Sequence, residues 1–167
     1  KSYNFYKIPK SFPIRKVILY GISECERSKL FYNLLKTGDI KSAGKLMYTS
    51  HNGDRVVFFD MNFKPNSYEN EVDINKLESY IEKGINLEKI PGGYGCSIPE
   101  IDFVIDLVKK FDAVYGAQLS GAGMGGSAMI LVEKQSWDKI TNLINDNYIN
   151  HFKKNCEIYC CQPVNGL

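Results

Sequence analysis

The chain is poor in the residues that mark several functional classes. Its 167 residues include one tryptophan, two histidines and five cysteines, Cys25, Cys96, Cys156, Cys160 and Cys161. The cysteines are odd in number and none stand in C-x-x-C spacing, so neither a disulfide framework nor a metal site is expected. Reduced, mostly buried thiols fit the pattern better. No run approaches the roughly 18 consecutive apolar residues of a membrane span, and the basic start lacks the apolar stretch of a secretory signal. A cytoplasmic protein without a membrane partner is expected. Charge of one sign is also missing: 21 Lys and Arg against 19 Asp and Glu leave a net +2, interspersed along the chain. That balance argues against nucleic acid or an anionic membrane as a partner.

The length suits a single domain spanning 1–167, and 44% hydrophobic residues suffice for a core. The chain opens on Lys1 rather than Met, which suggests a processed or excised piece. Val17-Ile18-Leu19-Tyr20 reads locally as a strand. Ser23 and Glu26 then form a capping box ahead of Leu30, Phe31, Leu34 and Leu35, and Gly38 stops that helix. Asp39 caps a second helix with Ile40, Ala43, Leu46 and Met47 on its apolar side, so 1–50 is a helical lead-in built on a hairpin of helices. Residues 51–90 read as an insertion: a turn at His51-Asn52-Gly53-Asp54, a strand-like Arg55 to Phe59, a loop at Phe63 to Ser67, and a short helix from Asp73 to Gly84 with Ile74, Leu77 and Ile81 at helical spacing. His51, a lone histidine in a turn, reads as solvated.

The core segment, 91–167, opens with the glycine-rich Pro91-Gly92-Gly93-Tyr94-Gly95. Residues Gly92, Gly93, Tyr94 and Gly95 either line a substrate cleft or set the angle at which the next helix starts. Ser97 and Glu100 fit a capping box with Pro99 in the first turn. The helix that follows carries Ile101, Val104, Ile105, Val108 and Phe111 as its buried stripe, with Asp102, Asp106, Lys109 and Lys110 facing out.

Between two strand-like stretches, Val114 to Leu119 and Ala128 to Val132, lies Ser120-Gly121-Ala122-Gly123-Met124-Gly125-Gly126-Ser127. Four glycines within 121–126 mean that main chain, not side chain, is presented there. Glycine admits positive φ and close approach, so free N–H groups of this loop suit a phosphate. The rival reading is a plain connection between two strands. Ser127 has the same two readings, a bond to the phosphate or to its own backbone. Gly121, Gly123 and Gly126 also satisfy G-x-G-x-x-G, but a strand follows where the dinucleotide fingerprint needs a helix, so a nicotinamide cofactor is excluded.

A helix from Ser136 to Tyr148, with Trp137, Ile140, Ile144 and Tyr148 on one face, precedes a last strand, Glu157 to Gln162. Helix, strand, loop, strand, helix, strand predicts the α+β class: an antiparallel sheet with helices on one face, a ferredoxin-like plait. A plait can bind RNA through aromatics on its central strands. These strands carry Met129, Ile130, Leu131, Ile158 and Cys160, with no basic cluster, so RNA is not expected.

Two stretches carry a resemblance. Cys96-Ser97-Ile98-Pro99-Glu100-Ile101-Asp102 resembles a Cys-Ser-x-Pro-Glu-x-Asp stretch of galactokinases. Gly116-Ala117 with Ser120-Gly121-Ala122-Gly123 and Gly125-Gly126-Ser127 resembles the third conserved motif of GHMP kinases. Glu26-Arg27, Asp39, Gly44 to Met47 and Ser50-His51 are similar to the helical pair that precedes these motifs, and that pattern implies one long helix over residues 15–37 in place of the local strand.

The chain thus resembles the C-terminal domain of a GHMP-family, galactokinase-like sugar kinase. The resemblance implies transfer of the ATP γ-phosphoryl group to a sugar hydroxyl, with magnesium, in a cleft shared with an N-terminal kinase domain. Gly121, Ala122, Gly123, Met124, Gly125, Gly126 and Ser127 would then lie near the phosphate or substrate, with Gly92 to Gly95 as possible cleft lining. The sugar-binding motif, the Pro-x-x-x-Gly-Leu-x-Ser-Ser-Ala phosphate loop and the family's aspartate have no counterpart in these residues. No catalytic residue is therefore assigned to this chain, and alone it is expected neither to hold magnesium or ATP tightly nor to turn over. The alternative is a free-standing, non-catalytic interaction module, and either reading allows self-association of the isolated chain.

Overall fold

The computed structural model describes residues 12–162. The first helix, α1, runs Ile14–Thr37 and absorbs Val17 to Tyr20, so the local strand reading fails and the long helix holds. Leu19, Ser23 and Arg27, four residues apart, form its buried line. A strand cannot be told from a helix by four apolar residues alone. The Ser23–Glu26 capping box falls in mid-helix. Gly38, in a left-handed conformation at φ 79°, ends α1, and Asp39 caps α2 (Ile40–Asp54) by accepting from Ser42 N–H at 3.1 Å. The expected turn at His51 to Asp54 is the last turn of α2.

Residues 55–98 follow this hairpin and lead to the core helix. Strands β1 (Val57–Phe59) and β2 (Pro65–Ser67) pair antiparallel, so part of the expected 63–67 loop is a strand. Helix α3 (Ile74–Glu82) is capped by Asp73, which accepts from Lys76 N–H at 2.7 Å. Its apolar positions are not buried: Ile74 and Ile81 are 57% and 80% exposed. A single 3₁₀ turn at Leu87–Lys89 leads back to α1. There the buried Arg27 guanidinium donates to the Ile90 carbonyl at 2.6 Å.

Helix α4 (Pro99–Val108) is the centre of the core, buried from Ile101 to Val108 on every side. Against it lie Phe59, Val114, Ala117, Leu119, Ile140 and Ile144. The outward placement of Asp102 and Asp106 is therefore overturned. The Ser97 capping box is not formed either: Ile98 holds the N-cap position without a side-chain bond, and Pro99 opens the helix.

Strands β3 (Val114–Ser120) and β4 (Ser127–Val132) form a second antiparallel pair with an irregularity between Val114 and Gly116. Helix α2 covers β3 so closely that a Cβ on Gly116 would sit 2.5 Å from the Gly44 Cα. Helix α5 (Trp137–Phe152) closes the core through Ile140 and Ile144. The expected strand at 157–162 forms no ladder. Cys156 and Ile158 still pack against the core, so the alternation seen in sequence reports side-chain packing without a main-chain partner. The outcome is α+β, with five helices and two small antiparallel sheets among the described residues.

Candidate functional site

The tip of the β3–β4 hairpin gathers Gly121, Ala122, Gly123, Met124, Gly125, Gly126 and Ser127. Gly121, Gly123, Gly125 and Gly126 have φ of 89°, 84°, 126° and 89°, and Met124 joins them at 58°. Five positive φ values in six residues require this glycine density, since an L-residue in that region costs roughly 1–2 kcal/mol. Both readings of the loop, a phosphate-facing backbone and a plain connection between the strands, are compatible with this backbone. Among the described residues, Met124 is the loop position whose N–H bonds outside the hairpin, donating to the Cys96 carbonyl at 2.6 Å. Its side chain is 79% exposed.

That bond joins the two glycine-rich segments singled out in the sequence. In the second, Gly92 and Gly93 are buried against α1: a side chain on Gly92 would strike the Tyr20 backbone, and Gly93 N–H donates to the Lys16 carbonyl at 2.9 Å. Tyr94 and Gly95 N–H both donate to the Gly53 carbonyl, at 2.7 and 3.0 Å. The Tyr94 ring stacks on Tyr20 at 5.5 Å. Gly92 and Gly93 thus act as a packing joint, while Tyr94 and Gly95 are exposed beside the hairpin.

Cys96 sits between the two segments. Its thiol donates to Asp54 Oδ1 at 3.1 Å, and the Tyr20 hydroxyl donates to Asp54 Oδ2 at 2.7 Å. Burial, then the bond to Asp54 and its charge, push the Cys96 thiol up to about 12, so it remains a protonated donor at neutral pH. Burial also raises Asp54, against the opposing pull of its Cys96 and Tyr20 bonds.

A second buried polar group underlies the hairpin, and sequence reasoning missed it. His51 and Asp102 are both fully buried, with Nε2 and Oδ1 3.0 Å apart. The two atoms face each other without the alignment of a good hydrogen bond. His51 Nδ1 receives Leu119 N–H at 3.4 Å, just before the loop begins. Asp102 Oδ2 accepts from Val56 and Val57 N–H at 3.0 and 2.9 Å. Burial pushes Asp102 up, but His51, Ser97 and these two N–H groups outweigh it and hold the carboxyl below its usual range. One turn on, Asp106 Oδ2 accepts from Arg55 Nη1 at 2.6 Å and Phe59 N–H at 2.9 Å. The solvated reading of His51 is overturned.

The glycine tip presents largely exposed main chain, with positive φ at Gly121 and from Gly123 to Gly126. Among the described residues no three His, Cys, Asp or Glu side chains converge as a cation site. No helix among the described residues is long and apolar enough to cross a membrane.

Fold and site together describe an α+β domain with a glycine-rich hairpin tip tied to the Cys96 carbonyl and buried polar side chains at the base of its strands. Residues 69–150 match the family model described as GHMP kinases C terminal, and most of the chain is similar to galactokinases, consistent with a galactokinase-like C-terminal domain. A galactokinase of Pyrococcus furiosus is 28% identical over 92% of this chain, covering 33% of that enzyme. Galactokinases of Roseiflexus sp. and Thermotoga neapolitana are 24% and 22% identical over 93% and 92% of the chain, covering 30% and 34% of theirs. The chain thus spans about a third of the length of the curated relatives it matches.

Proposed function

We propose that this chain is the C-terminal portion of an ATP-dependent, galactokinase-like sugar kinase, in which it supplies the glycine loop facing the transferred phosphate. The observation that carries this reading is the loop itself: largely exposed main chain at Gly121 to Gly126, with positive φ at five of these six positions, in a domain whose relatives are named galactokinases. Phosphoryl transfer is catalysed by positioning and by stabilising charge on the phosphoryl oxygens, which is work that preorganised N–H groups perform. In the complete enzyme ATP and magnesium supply the phosphoryl group and neutralise its charge. The residues of this chain would shape one wall, and the N-terminal kinase domain would bring the remaining groups and most of the sugar contacts. Alone, the chain lacks those parts and is inactive.

The test is coupled ADP release by the product of the whole reading frame to which these residues belong, with galactose, arabinose or no sugar. Sugar-dependent release is the expected result; ATP turnover indifferent to sugar, or none, overturns the reading.

A second reading, a non-catalytic interaction module, is favoured by α1. Ile14, Ile18 and Ile22 follow one another at four-residue spacing and are 62%, 58% and 46% exposed, an apolar line without a partner among the described residues and suited to another polypeptide.

A further inference from the structure

We propose that Asp54 is a positioning residue for the glycine loop, acting through Cys96. The inference rests on the reading of that loop as phosphate-facing, and Asp54 itself touches neither the loop nor anything the loop would bind.

The chain of contacts is short. Met124, a non-glycine residue held at φ 58°, fixes the middle of the loop through its N–H bond to the Cys96 carbonyl at 2.6 Å. Gly123 lies so close on the same residue that a Cβ there would sit 2.5 Å from the Cys96 sulfur and collide with the Cys96 carbonyl. The loop's form is therefore moulded on Cys96. Cys96 in turn is gripped by Asp54 twice: the thiol donates to Oδ1 at 3.1 Å, and the next residue, Ser97, donates its N–H to the Asp54 carbonyl at 2.9 Å. Asp54 cannot shift freely, because it is 5% exposed and its other carboxylate oxygen takes the Tyr20 hydroxyl at 2.7 Å.

The dependence on Asp54 has a direction. A buried carboxylate keeps both of its donors in place, since each would otherwise be left without a partner. An amide at that position offers one acceptor oxygen to two donors. The released thiol turns about its Cα–Cβ bond and the packing of Gly123 on the sulfur is lost, which weakens the Met124 N–H bond to the Cys96 carbonyl, the loop's hydrogen bond to the rest of the domain among the described residues. The geometry also separates positioning from bulk stability. Cys96 is only half-buried, and exchanging its thiol for a hydroxyl preserves the donor while removing it altogether does not.

The experiment is amide hydrogen exchange and ¹H–¹⁵N spectroscopy on the 167-residue chain, comparing wild type, Asp54→Asn, Cys96→Ala and Cys96→Ser. The expected result is that Asp54→Asn and Cys96→Ala shift the resonances of Gly121 to Ser127 and speed Met124 exchange on the order of tenfold, the loss of about one hydrogen bond. The α5 amides keep their protection, and Cys96→Ser restores the wild-type loop. Unchanged loop resonances in either variant, or an equal rise in exchange across α4, α5 and the loop, overturns the proposal. Should Asp54→Asn unfold the chain, the Cys96→Ala and Cys96→Ser pair decides by the same readout. None of these measurements involves ATP or sugar, so failure of the kinase reading and failure of this one are told apart.

Discussion

His51 Nε2 lies 3.0 Å from Asp102 Oδ1, and both side chains are fully buried. The pair joins the last turn of α2 to α4, while the far side of the imidazole meets Leu119 N–H on β3. Three elements that converge beneath the glycine hairpin thus share one polar contact.

Removing the carboxylate leaves the Val56 and Val57 N–H groups without an acceptor in a dry site. Asp102→Ala is expected to lower unfolding stability by about 2–5 kcal/mol, since each buried donor left unsatisfied costs about 1–3 kcal/mol. Urea denaturation followed by circular dichroism measures it; a loss within about 0.5 kcal/mol, typical of surface substitutions, contradicts it.

Two buried carboxylates give opposite pH dependence. Asp102 is held below the ordinary carboxylate value of about 3.9, so its contribution is complete above that value and disappears as pH falls through its lower folded value. Asp54 is raised, so its contribution is complete below about 3.9 and is lost as pH rises through its higher folded value. Tm measured from acid to neutral pH is expected to show a weaker acid loss in Asp102→Asn than in wild type. In Asp54→Asn the loss that sets in above about pH 4 is expected to be absent. A parallel pH dependence in all three proteins refutes both assignments.

Two glycines outside the loop have substitutions of opposite sign. A Cβ on Gly44 would collide with the Tyr115 carbonyl, backbone against backbone, and Gly44→Ala is expected to destabilise by about 1–3 kcal/mol or more. Gly21 lies in α1 with nothing within 4 Å of such a Cβ, and Gly21→Ala is expected to stabilise by roughly 0.5–1 kcal/mol through helix propensity. Thermal melts of the two variants check both signs at once.

The exposed line of α1 is expected to drive association. Sedimentation of wild type against Ile18→Glu should show concentration-dependent oligomers that the charge suppresses. Identical monomeric profiles would mean that this face is inert in the isolated chain.

The parts of this architecture legible in sequence are those set by local rules. The glycine loop was visible because only backbone with positive φ explains such density at Gly121 to Gly126. Helix α5 followed from periodicity, and the caps at Asp39 and Asp73 from residue type. The long α1 needed the family pattern, because Val17 to Tyr20 alone fits either period.

What stayed hidden was the polar underside of the hairpin. Asp102 and Asp106 fall on the charged positions of an amphipathic pattern, and their partners Val56, Val57, Arg55 and Phe59 are 45 to 51 residues away. One signal was present: like charges at i and i+4 repel on a solvated helix, so an Asp102–Asp106 pair asks for donors from elsewhere. The absent ladder at 157–162 had no such signal, since alternation reports which face is apolar and not what the backbone pairs with.

In the proposed role these residues bring a glycine loop to a sugar kinase whose phosphate-transfer machinery lies elsewhere. The sharpest test is isothermal titration of the 167-residue chain with Mg-ATP and with galactose or arabinose, separately and together, beside a coupled ADP-release assay. Neither binding heat nor turnover is expected. ADP release by this chain that depends on sugar would contradict that role and require a complete phosphate site within these residues.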